Sequence, residues 1–434
     1  MLVHRRMDSR TRPEAHPEPV TELSPRRRPI ESRLADAGLP QLPRTAWLEI
    51  DLDALVDNLN VIRGIVGAAV PIRPVVKADA YGHGAVPVAL ALEGAGAAGF
   101  CVAAIDEAQE LRAGGVRGPI LVLYPAPPSW VAEAARLSIE IAAGDRRALA
   151  ETLRAAARAA PERPLGLHLE LETGLGRGGF AMGEIVAAAR LVASSAGVRL
   201  AGLWTHLQAV DDDEITTAQL DRFEAATAAV AASGVNLPPR HVSASAAIIA
   251  GGVLAYEGVR PGLAMYGLVP DELDGSSVVG LSANLRPVMA LIARPVRVID
   301  LPAGHGISYG PTFRTSRPSR IATLPLGYGD GWSRLLSNRA SAIVRDTRVP
   351  LVGNVAMDAV MADVTDVPGP PVEDSDEFVL LGGTGRDRID VATLARARTT
   401  IPWEVVAAMS RRLPRVYDAA SGPVGLRTLT GRKG

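Results

Sequence analysis

The sequence predicts an α/β fold in which a (β/α)8 barrel of the TIM type is followed by a mostly β domain, and three observations support this. Between residues 45 and 283, eight short apolar segments alternate with alanine-rich helical segments, which is the count and length of units in such a barrel. After about Leu285, short alternating segments separated by Gly and Pro replace the helices, as in β-rich domains. The chain also has 434 residues, more than a single hydrophobic core usually holds.

The first elements follow in chain order. Residues 1–44 are rich in Arg, Pro, Glu and Ser without an apolar period, so we predict a disordered extension, with a targeting or partner-binding arm as the alternative. Residues 45–52 alternate like a strand that could join either domain. An open, doubly wound sheet is the alternative to a barrel, because alternation alone does not show closure. The eight expected barrel strands lie at residues 71–77, 99–103, 119–124, 139–143, 165–171, 200–206, 240–244 and 257–262.

The second domain, over residues 284–434, should consist of short strands and one helix over residues 391–413. Pro402 lies inside that helix. Because proline lacks a backbone N–H and clashes with the preceding turn, we expect the helix to bend or break there.

Composition excludes several classes of protein. The net charge of −1 at pH 7 gives no basic surface for nucleic acid, so we expect no such partner. No stretch reaches the roughly 18 apolar residues of a membrane span, and the arginines at the amino terminus lack the apolar run of a secretory signal. The single cysteine, Cys101, excludes a disulfide framework and a cysteine-cluster metal site. We therefore expect a cytoplasmic protein without a membrane anchor or a metal centre.

Lysine is almost absent from the chain. Only Lys77 and Lys433 are lysines among 46 basic residues, and Lys433 lies in the terminal GRKG. Lys77 lies in mid-chain, between an apolar run and a glycine-rich turn. Since a primary amine does chemistry that a guanidinium does not, Lys77 is the first candidate for a catalytic residue.

Polar residues follow the carboxyl ends of the expected strands, where barrel enzymes keep their working residues. The turn after the eighth strand should offer free backbone N–H groups to a phosphate. Such a set suits pyridoxal phosphate (PLP), which bonds to a primary amine and needs donors for its phosphate. The alternative is that each residue is an ordinary polar strand end. The set consists of Lys77, Tyr81, Arg177, His206, His241, Ser245, Arg260 and Gly262.

Three residues of the second domain lie in glycine-rich segments. Tyr309 lies in GISYGPTF, Tyr328 in LGYGDGW and Met357 in GNVAMDAV. A phenol near an arginine can accept a proton, because the positive charge lowers its pKa. A packing role is the alternative for each of the three.

Several motifs together resemble the alanine racemase family. The segment VVKADAYGHG is similar to the PLP-lysine signature of that family. The motifs run in family order from residue 44 to about residue 418. They continue through RTAWLEIDLDAL, GAAGFCVAAIDEAQELR, ETGLGRGGF, GLWTHLQAVD, VRPGLAMYGL, GISYGPTF, LPLGYGDGW, VGNVAMD and SRRLPRVYD.

The resemblance implies a PLP-binding barrel of fold-type III, a carboxyl-terminal β domain and a head-to-tail homodimer. Each active site would combine the barrel of one subunit with the β domain of the other. The implied activity is the interconversion of L-alanine and D-alanine by two bases, which supplies D-alanine for peptidoglycan. Lys77 would be the Schiff-base lysine and the base on the D side, and Tyr309 of the partner subunit would be the base on the L side.

The resemblance also implies roles for other residues. Arg260 would face the pyridine nitrogen, and His206 would pack against the ring. Because arginine does not hand over a proton, Arg260 favours racemisation over the chemistry of the related barrel decarboxylases, where an acidic partner stands. The phosphate contacts would be Tyr81, Ser245, Gly262 and Leu263. Arg177 and the Met357 backbone would bind the substrate carboxylate, and Tyr328 would line the passage by which substrate enters.

Five positions depart from the family pattern: Asp79, Glu170, Leu175, Ala244 and Trp403. Glu170 stands where the family often has a carbamylated lysine, and we expect its carboxylate to orient Arg177 directly or through water. Trp403 replaces a tyrosine that reaches the phosphate, so we count it among the cofactor contacts. Since Trp403 and Ala244 change the pocket, a racemase acting on serine or a broader set of amino acids is the alternative. A PLP-binding protein without catalysis is a more distant one.

Overall fold

The computed structural model describes residues 28–251, 256–270, 273, 284–383 and 387–433. Its strands form a parallel six-stranded sheet, a mixed eleven-stranded sheet and a two-stranded hairpin. The first strand, β1 (Ala46–Asp51), lies in the mixed sheet, parallel to one carboxyl-terminal strand and antiparallel to another. The parallel sheet contains the barrel strands that follow. The predicted α/β barrel followed by mostly β structure is confirmed.

The parallel sheet forms most of the barrel, and each strand pairs with the next one in the chain. Its residues are almost all buried, as expected where helices cover the outer face and side chains fill the interior. The strands are β2 Phe100–Val102, β3 Ile120–Val122, β4 Ile139–Ala143, β5 Leu165–Glu170, β6 Val198–Trp204 and β7 Arg240–His241.

Short pairings close the barrel through its first and eighth segments. Ile72 pairs with Val259, and Val75 pairs with Cys101 of β2, both in parallel. Backbone hydrogen bonds from the eighth segment to the seventh complete the ring. The sheet is therefore closed, which excludes the open doubly wound alternative.

The helices cover the barrel with an apolar face. The helix over residues 146–159 is typical, because Asp145 caps its first turn and Leu149, Leu153 and Ala156 are buried on one side. Short 3-10 turns lie at Pro128–Trp130, Leu263–Tyr266, Tyr328–Asp330 and Arg334–Leu336. The helices of the described residues are α1 Ile30–Asp36, α2 Leu52–Val66, α3 Ala85–Gly94, α4 Ile105–Ala113, α5 Val131–Arg136, α6 Arg146–Ala159, α7 Ile185–Ser194, α8 Asp213–Ala232, α9 Ser245–Ile249, α10 Val391–Arg398 and α11 Pro402–Ala407.

The mixed sheet contains the strands after the barrel together with β1. Its strand order is β19-β18-β17-β1-β8-β16-β13-β14-β15-β12-β9, and β10 pairs with β11 in the separate hairpin. The strands are β8 Met289–Ala293, β9 Arg297–Leu301, β10 Gly306–Ile307, β11 Phe313–Arg314, β12 Ser319–Leu324, β13 Ser341–Val344, β14 Thr347–Val352, β15 Val360–Asp363, β16 Phe378–Leu381, β17 Arg415–Ala419, β18 Gly422–Thr428 and β19 Gly431–Lys433.

The region predicted to hold one broken helix contains two, α10 and α11. Pro402 is the first residue of α11, where a helix has no use for a backbone N–H and the fixed φ of proline fits. Among the residues that the structure describes, no helix is both long and apolar enough to cross a membrane.

Helix α1 corrects the prediction of disorder for part of residues 1–44. Ile30 and Leu34, four residues apart on one face, are buried against Trp47 and Ile292 of the mixed sheet. Arg33 pairs with Glu49 at 2.9 Å and with a second carboxylate on β17. Two apolar residues and one arginine thus dock a helix of two turns, a pattern too short to stand out in a charged segment. Residues 1–27 lie outside the described residues.

Candidate active site

A cavity of about 500 Å³ opens at the carboxyl-terminal mouth of the barrel. The ends of the first, sixth, seventh and eighth barrel segments, together with α11, contribute its lining. Most of the predicted site residues come together here. They are Lys77, Tyr81, Arg177, His206, Ser245, Arg260, Gly262, Leu263 and Trp403.

Lys77 is followed by a left-handed turn of four residues that are not glycine. Ala78, Asp79, Ala80 and Tyr81 all have φ between 52° and 57°, a conformation that costs roughly 1–2 kcal/mol per residue. The Ala78 N–H donates to a side-chain oxygen of a glutamate on α4 at 2.7 Å. The turn brings both Lys77 and Tyr81 to the cavity.

The mixed sheet holds this turn in place through two arginines. Arg427 of β18 donates to both carboxylate oxygens of Asp79, at 2.7 and 2.5 Å, and the Ala85 N–H donates to Asp79 at 2.9 Å. The buried Arg415 of β17 donates from Nε to the Gly82 carbonyl at 2.8 Å. Burial alone would raise the pKa of Asp79, but the hydrogen bonds and charge of Arg427 outweigh it and lower that pKa.

The Lys77 amine lies in surroundings that disfavour its charge. Burial lowers its pKa, and the nearby Arg177 lowers it further, while Glu107 acts in the opposite direction. A lysine with a lowered pKa presents a neutral amine at a lower pH than a solvated lysine does.

Ser245 organises the turn after the eighth strand. Its Oγ accepts hydrogen bonds from the N–H groups of Gly262 at 2.9 Å and Ala264 at 3.1 Å. The Gly262 N–H is therefore not free, contrary to the prediction for this turn, and the hydroxyl hydrogen of Ser245 remains available as a donor. A Cβ on Gly262 would come within 2.7 Å of the Tyr81 hydroxyl oxygen, so only glycine leaves this space open.

Arg260 is buried at the cavity, and protein groups fix its guanidinium. Nη1 donates to Nδ1 and to the carbonyl of His241, at 2.5 and 2.6 Å. Nη2 donates to the carbonyls of Thr205 at 2.9 Å and Val242 at 3.2 Å. The guanidinium also lies 4.8 Å from the ring centroid of Trp204. Burial lowers the pKa of Arg260 to about 10, so the side chain remains a cation at neutral pH.

His206 and Arg177 also line the cavity. Burial and the charges of Arg260 and Arg177 lower the pKa of His206 to about 3, so its ring is neutral. Arg177 Nη2 lies 3.7 Å from Glu170 Oε1, an ion-pair distance longer than a hydrogen bond, and its guanidinium lies 5.9 Å from the Tyr124 ring centroid. Burial raises the pKa of Glu170, while Arg177 opposes that shift.

Three predicted site residues lie outside this lining, on the second domain. Tyr309, Met357 and Tyr328 are exposed, at 77%, 52% and 44% of their surface. Asn354 donates to the Tyr309 carbonyl at 2.8 Å, and the residue after Tyr328 donates its N–H to the Met357 carbonyl at 3.0 Å. Hydrogen bonds thus hold these three segments near one another, apart from the barrel cavity of the same chain.

The sequence reasoning missed two buried polar residues inside the barrel, Glu140 on β4 and His168 on β5. Both are bonded through His241 to Arg260. In the sequence, each of the two is a polar residue within a mostly apolar strand. Such a residue does not by itself indicate which other residue it will bond to.

Two family models match this chain. The one described as the N-terminal domain of alanine racemase matches residues 50–270, which is more than half of the chain, and the one described as its C-terminal domain matches residues 288–417. The chain belongs to the alanine racemase family. Lys77 falls within the first match, and Tyr309, Tyr328 and Met357 fall within the second.

Other members of the alanine racemase family align with 86–90% of this chain. The alanine racemase of Halothermothrix orenii is 38% identical over 384 residues, which are 88% of this chain and 99% of that protein. The one from Sorangium cellulosum is 40% identical over 388 residues, with 86% and 99% covered. The crystal structure of alanine racemase from Bacillus anthracis with bound L-Ala-P has a TM-score of 0.82 at 30% identity, over 90% and 99% of the two chains.

Alanine racemases depend on PLP, and the cavity of this chain fits that cofactor. Its volume of about 500 Å³ lies in the range of small-molecule sites. Lys77 supplies a primary amine of lowered pKa, and Ser245 and Tyr81 supply hydroxyl donors beside the space that Gly262 leaves open. The neutral His206 ring can pack on an aromatic ring without a charge to desolvate.

The Asp79–Arg427 pair gives a first prediction about stability. In Arg427→Met the Asp79 carboxylate stays buried without its main partner, so we expect the free energy of unfolding at pH 7 to fall by about 3–5 kcal/mol. The measurement is urea unfolding followed by circular dichroism. Arg411→Met, which removes a more exposed arginine 3.7 Å from the same carboxylate, is the matched control and should cost under about 1 kcal/mol.

The lowered pKa of Asp79 also sets the sign of a pH effect. A depressed pKa in the folded state stabilises the protein above the unfolded pKa of about 3.9, and this contribution is lost as the pH falls through the folded pKa. Unfolding of the wild type should therefore become easier below about pH 4 more steeply than unfolding of Asp79→Asn. Parallel pH curves for the two proteins would show that Asp79 does not carry this stability.

Proposed function

We propose that this chain is a PLP-dependent racemase that interconverts L-alanine and D-alanine. The observation that carries the proposal is one cavity in which a lysine of lowered pKa lies with a buried arginine that protein acceptors hold on both terminal nitrogens. The lysine can take and return a proton, and the arginine cannot supply one. Family membership supports the same activity. We place it in the cytoplasm, where it would supply D-alanine for peptidoglycan.

The residues of the cavity divide the work as follows. PLP, when bound, withdraws electrons from the α-carbon of the attached amino acid and so makes the Cα proton labile. Lys77 would hold the cofactor through Nζ and move the proton on the D face. The Nε–H of Arg260, which the four contacts described above do not use, would face the ring nitrogen. His206 and Trp403 would pack beside the cofactor.

The two ends of the ligand would meet different groups. Tyr81, Ser245, Gly262 and Leu263 would surround the phosphate. Arg177 would bind the substrate carboxylate, because a guanidinium matches a carboxylate with two parallel donors. Since the backbone N–H groups of Gly262 and Ala264 already bond to Ser245, the hydroxyl groups are the donors best placed for the phosphate.

The second base would come from a partner chain in a head-to-tail homodimer. Racemisation by two bases needs a proton acceptor on each face of Cα, and Lys77, which lies in the cavity lining, can serve only one of the two faces. Tyr309, exposed at 77% of its surface on the second domain, would act on the L face of the other subunit's site. Met357 would offer its backbone to the carboxylate, and Tyr328 would line the passage by which substrate enters.

A panel of L-amino acids in deuterated water tests the proposed activity. We expect the holoenzyme to convert L-alanine to D-alanine with deuterium at Cα, measured by chiral chromatography and mass spectrometry. L-serine is the most informative comparison, because Trp403 and Ala244 lie in the cavity lining. Faster turnover of serine than of alanine would show that serine is the preferred substrate. If none of the amino acids gave a D-product, racemisation would be refuted.

Tyr309→Phe tests the two-base mechanism. Without the hydroxyl, turnover should fall by about 10²–10⁴-fold, while the absorbance of bound PLP remains.

Mixing subunits tests the shared site: neither Lys77→Ala nor Tyr309→Phe homodimers should be active, but heterodimers contain one intact site. Equal co-expression should then restore about a quarter of wild-type activity. If mass spectrometry verifies the heterodimers but no activity is recovered, both bases must come from the same chain.

Glu170 is proposed to orient Arg177. Its carboxylate lies 3.7 Å from the guanidinium, which leaves room for rotation or for a bridging water. In Glu170→Gln we expect a higher KM for alanine, because the carboxylate-binding group loses its anchor, and kcat should change less. Lowering the pH of the wild type protonates Glu170, whose pKa is raised by burial, so the acid limb of the kcat/KM profile should move in the variant. Unchanged KM and pH profile would contradict this role.

A further inference from the structure

A row of four polar side chains crosses the interior of the barrel, and we call Arg260, His241, His168 and Glu140 the polar row. Arg260 Nη1 lies 2.5 Å from His241 Nδ1. His241 Nε2 lies 2.9 Å from His168 Nδ1, and His168 Nε2 lies 3.0 Å from Glu140 Oε2. All four side chains are buried, and they come from the eighth, seventh, fifth and fourth barrel segments.

The hydrogen-bonding capacity of the end members sets the direction of every proton in the polar row. Arg260 has donors only, so His241 must present an unprotonated Nδ1 and carry its hydrogen on Nε2. That hydrogen points to His168, whose Nδ1 must therefore accept and whose hydrogen lies on Nε2. The last bond ends on Glu140, and an ionised carboxylate is the acceptor that this arrangement requires. Protonating either histidine would place two N–H groups head to head.

Burial and charge agree with this arrangement. Burial lowers the pKa of His241, and the charge of Arg260 lowers it further, while burial also lowers the pKa of His168. Burial opposes ionisation of Glu140, but the hydrogen bonds from His168 and Arg199 and the charge of Arg73 outweigh it and keep its pKa well below the ordinary value. The row therefore has a permanent cation at one end and a permanent anion at the other.

Two glycines on neighbouring strands leave room for the polar row. A Cβ on Gly202 of β6 would come within 2.2 Å of His168 Nδ1, and a Cβ on Gly166 of β5 would come within 3.0 Å of Glu140 Cγ. The register between β5 and β6 also shifts at His168. The backbone is thus shaped to leave room for these side chains.

We propose that Glu140 and His168 are positioning residues for Arg260. Acting through His241, they fix the tautomer that presents a lone pair to the guanidinium and so hold Arg260 in the orientation in which it faces the cofactor ring. This inference rests on the proposed function for its catalytic consequence. The alternative is that Glu140 only neutralises Arg73 and Arg199, with which it pairs at 2.9 and 2.7 Å.

The test compares Glu140→Gln and His168→Phe with two controls. Glu140→Asp keeps a carboxylate and should restore the wild-type tautomers and kcat. Arg199→Met removes an ion pair of Glu140 from a side chain that is 54% exposed but leaves the polar row intact. The first readout is ¹⁵N NMR of histidine-labelled protein, which contains seven histidines and reports the imidazole tautomers without any turnover. The second is kcat and KM of the PLP-loaded enzyme with alanine, together with the absorbance of bound PLP.

In the wild type and Arg199→Met, His168 and His241 should both carry hydrogen on Nε2. In Glu140→Gln the two tautomers should become mixed, and kcat should fall by roughly tenfold or more with KM within about twofold. His168→Phe should show the same fall in kcat, so the proposal can still be tested if one of the two variants folds poorly. Wild-type tautomers and kcat in Glu140→Gln, or equal losses in Arg199→Met, would overturn the proposal. If the wild type does not racemise alanine but the tautomers change as expected, the proposed function fails while the positioning of Arg260 stands.

Discussion

The active site depends on one constraint, the left-handed turn that follows Lys77. Four consecutive residues with positive φ are unfavourable in isolation, so the turn persists because its surroundings hold it. Asp79 is bound by Arg427, and the Gly82 carbonyl is bound by Arg415. Both arginines belong to the mixed sheet, so the position of the lysine is set by strands that lie more than 300 residues away in sequence. The pairing of β1 with β17 joins that sheet to the start of the barrel.

The chain uses arginine where it needs a fixed donor and lysine where it needs a reactive amine. Arg260 and Arg415 are buried, and each donates to several backbone carbonyls. A guanidinium suits this role because it has five donors in a rigid plane and keeps its charge. Lys77 differs, because burial and Arg177 lower its pKa and make the neutral amine accessible. The same cavity therefore contains a cation that cannot release its proton and an amine that can.

Three of the residues that we expect to depart from the family pattern can be understood from their surroundings. Asp79 can accept from Arg427 with two charged oxygens, which an asparagine could not do, and it also accepts from the Ala85 N–H. Glu170 brings a carboxylate to Arg177 without a modified lysine, at the cost of a looser contact of 3.7 Å. Trp403 lies in the cavity lining, where an indole offers a donor and a flat surface but no acceptor. Nothing in the structure explains Leu175.

The sequence by itself determined the alternation of strands and helices, the change to β structure after the barrel, and the importance of Lys77, because apolar periodicity and the scarcity of lysine are local and compositional properties. Its motifs also pointed to most residues of the cavity. Only the tertiary structure decided that the barrel closes, since the closing contacts are the single pairings Ile72–Val259 and Val75–Cys101. It alone placed β1 in the mixed sheet, docked α1 and joined Glu140 to Arg260 through two histidines. These contacts join residues that lie up to 385 positions apart in the sequence, and a lone polar or apolar residue in one strand does not reveal which distant residue it will meet.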